Sequence, residues 1–268
     1  MAARRLPVWL VTGAGLLSTG AVGGLASLFG GAVSGRLGTA LFYGLVFLPL
    51  WVTASLGGLA ERRTVWRSER SPALALGAGV LLGLAALGLT VLVAAAAGAV
   101  RSGQTAGGIG AAPGVGLALL VFAYQAGAEE ILFRGWIQPA FCARLGPSIG
   151  LAVVAVAFGL LHLVGARHGL LAMINLVLAG LMFGLLALRT GGLWAAFGAH
   201  AAWNWGEACA LGLDPNPGVG GFGSLADFDL AGPALWSGGA DGLNGSLALT
   251  LVLAAIVIGL ACATVRRP

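Results

Sequence analysis

Glu129 and Glu130 are adjacent in Ala128-Glu129-Glu130-Ile131-Leu132-Phe133-Arg134-Gly135, an otherwise apolar stretch, with Arg134 one helical turn later. His162 ends Phe158-Gly159-Leu160-Leu161-His162. His200 and Asn204 share His200-Ala201-Ala202-Trp203-Asn204, with Glu207 a turn further on. Glu130/Arg134 and His200/Asn204 are i,i+4 pairs, so each pair lies on one helix face. This set suits hydrolysis. One glutamate can act as general base on a water, while Arg134 holds the other ionised through a charge-assisted hydrogen bond. A histidine can position the water or protonate a leaving amine, and Asn204 can donate to a developing oxyanion. Glutamate with two histidines is also a candidate zinc set. However, H-E-x-x-H is absent, and the ligands would come from three separate segments.

The elements that must carry these residues are membrane helices. The chain of 268 residues is 59% hydrophobic and only 9% charged, where soluble domains average about 25% charged residues. Its mean hydropathy is +0.97. Apolar runs at roughly 6–32, 39–59, 73–100, 115–142, 148–165, 169–188, 192–212 and 245–265 approach or exceed the length that spans a hydrocarbon core. The expectation is an all-α polytopic membrane protein of about eight transmembrane helices, a single domain with a buried polar site. Helix is required because a lipid-exposed backbone must satisfy its own hydrogen bonds.

The net charge of +5 would suggest nucleic acid in a soluble chain. Here the arginines cluster at the ends of apolar runs, so they read as topology signals and no nucleic-acid partner is expected. Arg4 and Arg5 precede a first run too long for a signal peptide, which reads as an uncleaved span. Cys142, Cys209 and Cys262 form neither a disulfide framework nor a C-x-x-C pair. Absence of lysine beside abundant arginine, glycine and alanine suggests a GC-rich bacterial genome.

Starting with the N-terminus in the cytosol, the inside collects Arg4, Arg5, Arg62, Arg63, Arg67, Arg70, Arg189, Arg266 and Arg267, and the outside Arg36, Arg101 and Arg167. Both termini are therefore expected in the cytosol of a multi-pass plasma-membrane protein. Asp214, Asp227, Asp229 and Asp241 all fall in the 213–244 connection, placed outside and read as a solvated connector or a lid. By helical rise, Glu129 lies about 20 Å, His162 about 21 Å and His200 about 13 Å from the inner ends of their spans. Similar buried depths predict convergence in the bundle.

At this point the residues resemble a known family. Glu129-Glu130-x-x-x-Arg134, Phe158-x-x-x-His162 and His200-x-x-x-Asn204, in order on successive spans, look like the three motifs of the CPBP family. These are the CAAX proteases and bacteriocin-processing enzymes, or Abi family, related to the type II CAAX prenyl endopeptidases. The resemblance covers about residues 115–210 and implies an intramembrane endopeptidase with an eight-helix core and a cytosol-facing site. It implies that Glu129 activates water, that His162 and His200 assist, and that Asn204 forms the oxyanion site. Glu130 and Arg134 correspond to the remaining motif positions. It implies a peptide or membrane-protein substrate in the bilayer and no obligatory cofactor, with zinc as the alternative.

Blander readings stand beside these. Glu130 and Arg134 can be a structural ion pair, and Phe158 simple packing. His168 reads as an exposed turn residue, and Glu207 and Asn175 as supporting or interhelical polar groups. Trp194, Trp203 and Trp205 read as interfacial or core residues. A non-enzymatic membrane immunity or scaffold protein is the competing function. A proton-coupled transporter is a third, although no pair of broken helices occurs in corresponding halves.

Overall fold

The computed structural model describes residues 6–29, 34–61, 65–66, 71–103, 107–163, 168–216 and 221–265. Arg4, Arg5, Arg62, Arg63, Arg67, Arg70, Arg167, Arg266 and Arg267 lie outside them. Apolar helices follow one another as α1 (Val8–Phe29), α2 (Gly35–Glu61), α3 (Pro72–Ala96) and α4 (Ala112–Glu130), the last continuing through a π-helical segment (Ile131–Ile137) into α5 (Gln138–Leu145). Then come α6 (Pro147–Leu161), α7 (Leu170–Thr190) and α8 (Trp194–Trp205), which runs on into a π turn (Gly206–Ala210). The described chain closes with α9 (Ala234–Ser237), a 3-10 segment (Gly239–Gly245) and α10 (Leu247–Val265).

The protein is an all-α polytopic membrane protein. Among the described residues six helices are long and apolar enough to cross a bilayer. The expected fifth and seventh spans correspond to shorter helices, α6 with 15 residues and α8 with 12. Exposed Leu17, Leu41, Leu81 and Ile258 lie on the outer faces of the helices. Such a surface would drive association in water and is ordinary against lipid.

The fourth span is continuous from Ile109 to Leu145 despite Pro139. An interior proline lacks the N–H for its i−4 bond and crowds that carbonyl. Just ahead of it the helix widens, and Gln138 N–H bonds the Phe133 carbonyl five residues back. The π segment takes up the mismatch and the helix continues.

Close packing sets where α8 sits. A Cβ on Gly79 would come within 2.1 Å of the Ala195 carbonyl oxygen, and one on Gly83 within 2.4 Å of that of Ala199. Gly198 meets the Leu76 carbonyl in the same way, at 2.4 Å. The backbones of α3 and α8 therefore touch, which is what small residues permit in membranes. His200 is carried on this tightly held helix.

The two ends of the bundle differ. At one end Glu61 accepts from Leu6 N–H at 3.0 Å and pairs with Arg144 at 3.6 Å, and Arg144 also donates to the Leu6 carbonyl. Arg189 donates to the Leu260 carbonyl. The opposite end carries a three-stranded sheet, β1 (Val100–Ser102), β3 (Phe228–Leu230) and β2 (Leu213–Asp214) in that order. β1 is antiparallel to β3, with Val100 opposite Leu230, and β2 runs parallel to β3.

This sheet corrects the reading of 213–244 as a solvated connector. Leu213, Phe222, Leu230 and Leu243 are buried, and Phe222 packs edge-on against Phe122 with centroids 6.3 Å apart. His168, expected as a plain exposed turn residue, bonds Asp241 at 2.9 Å, and Asp241 also accepts from Gly169 N–H at 2.8 Å. Together they pin the segment to the start of α7.

Gly83→Leu should lower the melting temperature of detergent-purified protein, by the roughly 1–3 kcal/mol that overpacking costs. Gly88→Leu, where a Cβ meets nothing within 4 Å, should melt like the wild type. Equal melting of both variants would show that the α3–α8 contact does not hold the bundle.

Candidate active site

The charged residues meet where α4, the π segment, α6, α7 and α8 converge. Arg134 donates to Glu130 Oε1 at 3.1 Å across one turn, with both side chains fully buried. Its other terminal nitrogen donates to the Gly180 carbonyl on α7 at 2.9 Å. The guanidinium carbon lies 4.5 Å from the Phe158 ring centroid, 5.3 Å from that of Phe183 and 5.7 Å from that of Phe133. Cation–π contact of this kind is strongest when desolvated. Phe158, read as packing, thus faces a buried cation.

His200 reaches the same carboxylate from α8, with Nδ1 2.9 Å from Glu130 Oε1. An ionised carboxylate only accepts hydrogen bonds, so Nδ1 carries the proton and donates. In the neutral imidazole Nε2 is then the acceptor, and it faces Glu129 Oε2 at 4.0 Å. Phe183 stacks on the imidazole at 4.9 Å and 15°, and Phe158 meets it edge-on at 6.0 Å. Ring orientation is therefore set, and with it the tautomer of the neutral ring.

Glu129 is held more loosely. Gln125 donates to its Oε1 at a long 3.4 Å, and Oε2 has no hydrogen-bond partner among the described residues. His162 caps the end of α6, where its Nδ1 lies 3.0 Å from the Phe158 carbonyl. The F-x-x-x-H spacing is what brings that carbonyl within reach.

A cavity of about 420 Å³ joins these groups, lined by Glu129, His162, His200 and Asn204, and its size is that of ordinary ligand sites. Glu130 and Arg134 are not in its wall but lie buried beside it. The sequence-derived set therefore divides into four residues on the cavity and two forming an ion pair behind His200. Sequence reasoning assigned both histidines to Glu129, whereas the direct bond of His200 is to Glu130.

Gln125, Phe183 and the Gly180 carbonyl were missed. Only Gln125, four residues before Glu129, left a readable signal. Asn175 is an interhelical fastener, donating to the Asn244 and Ser246 carbonyls at 2.8 and 3.0 Å and accepting from Thr250 at 2.7 Å.

The cavity reaches from the reacting groups toward the sheet-bearing end, where His168, Asn216 and Asn244 line it. Leu6 and the end of α10 are at the other end, with Glu61 and Arg144. Termini in the cytosol would place the mouth outside, whereas the family resemblance implied a cytosol-facing site.

Comparison with known proteins adds one match. Residues 111–206 fit the family model described as type II CAAX prenyl endopeptidase Rce1-like. That range contains Glu129, Glu130, Arg134, Phe158, His162, His200 and Asn204. No curated protein and no solved structure matches the chain.

Arg134→Met should destabilise the protein by about 3–5 kcal/mol, because it leaves Glu130 as a buried charge without its counter-ion. Arg134→Met with Glu130→Gln should recover part of that loss, a non-additivity expected of contacting residues. Chemical denaturation of the purified variants measures both. Strict additivity would dissolve the ion pair as a unit.

Proposed function

We propose that this chain, which belongs to the CAAX protease (CPBP) family through residues 111–206, is an intramembrane endopeptidase in which Glu129 activates the hydrolytic water. Family membership makes it a CAAX-type intramembrane protease in general. The observation that carries the finer reading is the 4.0 Å separation of His200 Nε2 and Glu129 Oε2, two acceptors facing each other on the cavity wall. That distance is too long for a direct hydrogen bond and short enough for one water to bridge. A water donating one hydrogen to each acceptor points its lone pairs away from both, toward a bound carbonyl.

Attack would pass the water's proton to Glu129, which later delivers it to the leaving amine. Asn204, one turn from His200 on the cavity wall, is the donor for the developing oxyanion. His162 is placed to steady the water or the leaving group. Glu130 and Arg134 act through His200 as positioning residues.

The metal-independent form is the one proposed. It is supported by the donor arrangement. Among the described residues no three histidine, cysteine, aspartate or glutamate side chains stand as a metal-ligand group, and Glu130 and His200 already engage one another. The substrate is a peptide or membrane protein that presents an extended segment at the bilayer.

The mouth is proposed to face away from the cytosol. Arg144 and Arg189 are at the end opposite the sheet, and sequence adds Arg62, Arg63, Arg67 and Arg70 between α2 and α3 and Arg266 and Arg267 after α10. Four aspartates are on the mouth side. That asymmetry is the positive-inside pattern.

Reconstituted protein should cleave a membrane-tethered peptide pool. Glu129→Gln should lose about 10²–10⁴-fold, the typical share of a general base, and Asn204→Ala about 10²–10³-fold. Chelator should leave wild-type turnover unchanged. Full activity of Glu129→Gln would sink the mechanism, and chelator inhibition reversed by zinc would replace it with the metal form.

For the orientation, a single cysteine at Ser224, in a variant lacking the native cysteines, should react with an impermeant maleimide added outside intact cells. Labelling only after lysis would turn the mouth to the cytosol.

A further inference from the structure

Glu207 is a buried carboxylate that the hydrolytic scheme does not use. It follows α8 at the start of the π turn and is 4% exposed. His200, Asn204 and Glu207 stand at i, i+4 and i+7 and all line the cavity. They form one stripe running from the reacting groups toward the mouth. Trp203 Nε1 donates to Glu207 Oε2 at 3.1 Å, while Oε1 is buried with no hydrogen-bond partner among the described residues.

Among the described residues the other buried glutamates also keep one oxygen without a hydrogen-bond partner, but each faces a basic side chain. Glu130 has Arg134 and His200, Glu61 has Arg144 and Leu6 N–H, and Glu129 has His200 across the reaction centre. Glu207 has no cation facing it among the described residues. A carboxyl so placed is either neutralised by a proton or completed by a cation from outside. Its position on a cavity wall, with one oxygen fixed by Trp203 and one unanswered, is that of a receptor for a donor arriving with the ligand.

We infer that Glu207 is the recognition site for a cationic side chain, the ammonium of lysine or the guanidinium of arginine, on the peptide that enters this cavity. The assignment rests on the reading of the cavity as a peptide site. Seven residues of helix separate Glu207 from His200, about 10 Å of rise. An extended peptide covers that in about three residues. The basic residue thus lies within about three positions of the bond cleaved, on the mouth side. Residue 207 lies immediately after the matched segment 111–206.

The deciding experiment measures binding without turnover. The full-length Glu129→Gln protein and its Glu129→Gln/Glu207→Gln counterpart are reconstituted in phosphatidylcholine vesicles. Each is titrated with N-palmitoylated peptide pools carrying lysine, arginine or the uncharged isostere norleucine at one fixed position. Glutamine keeps an acceptor for Trp203, so a merely structural Glu207 would leave the ranking unchanged.

The expected result is at least about tenfold tighter binding of the lysine and arginine pools to the first protein, at neutral pH and low salt, and no preference in the second. Equal affinities for all three pools, or a preference that survives Glu207→Gln, overturns the assignment. In the single variant Glu207→Gln, the advantage of lysine over norleucine peptides in kcat/KM should disappear. Failure of the protease reading looks different: basic peptides bind with the Glu207-dependent preference and wild-type protein cleaves none of them.

Discussion

Arg134 is a permanent charge in the middle of the bundle, and a guanidinium is not deprotonated in proteins. Everything around it follows from having to accommodate that. Glu130 must be ionised to answer it, the Gly180 carbonyl must turn toward it, and three phenylalanine rings must lie beneath it. Because Glu130 is then an acceptor alone, His200 must donate from Nδ1 and expose an acceptor at Nε2. One buried cation thereby dictates the hydrogen-bonding sense of an imidazole on another helix, on the far side of a carboxylate.

That chain of consequence needs close tolerances, and the backbone supplies them. The widened turn ahead of Pro139 carries Arg134, and such π segments commonly mark functional sites. Gly180 lies where a Cβ would come within 2.9 Å of the Ala155 carbonyl, so α6 and α7 pack close beneath the guanidinium. Gly79 and Gly83 press α8 onto α3 and fix the depth of His200. Without a hydrophobic drive between helices in lipid, such close packing is what holds the positions of the polar groups.

Much of this was legible in the sequence, and the rest was hidden for physical reasons. Helix spans could be read because lipid forces each segment to satisfy its own backbone, so length and hydropathy suffice. Glu130 with Arg134, and His200 with Asn204, could be read because i,i+4 spacing is local. The sheet could not be read, since Val100–Ser102 and Phe228–Leu230 are three-residue strands more than a hundred positions apart with no period of their own. Nor could the partners of His200, because the stacking of Phe183 and the choice of Glu130 over Glu129 depend on helix rotation. Small-xxx-small patterns occur throughout the chain, and only packing reveals that Gly79 and Gly83 are the pair that matters. His168 was misread because its partner, Asp241, lies 73 positions away.

The two adjacent glutamates are separated by what a proton would do to each. A proton on Glu130 would strip Arg134 of its counter-charge and weaken the Oε1 acceptor that Arg134 and His200 share. A proton on Glu129 disturbs little, because its Oε2 has no hydrogen bond to lose and the Gln125 bond is already long. A general base must gain and give up a proton in every cycle while its surroundings stay fixed. The residue on the cavity wall meets that condition, and the residue behind His200 does not. In the proposed mechanism, adjacency in sequence therefore conceals opposite requirements: one carboxylate is useful because it stays charged, the other because it can change.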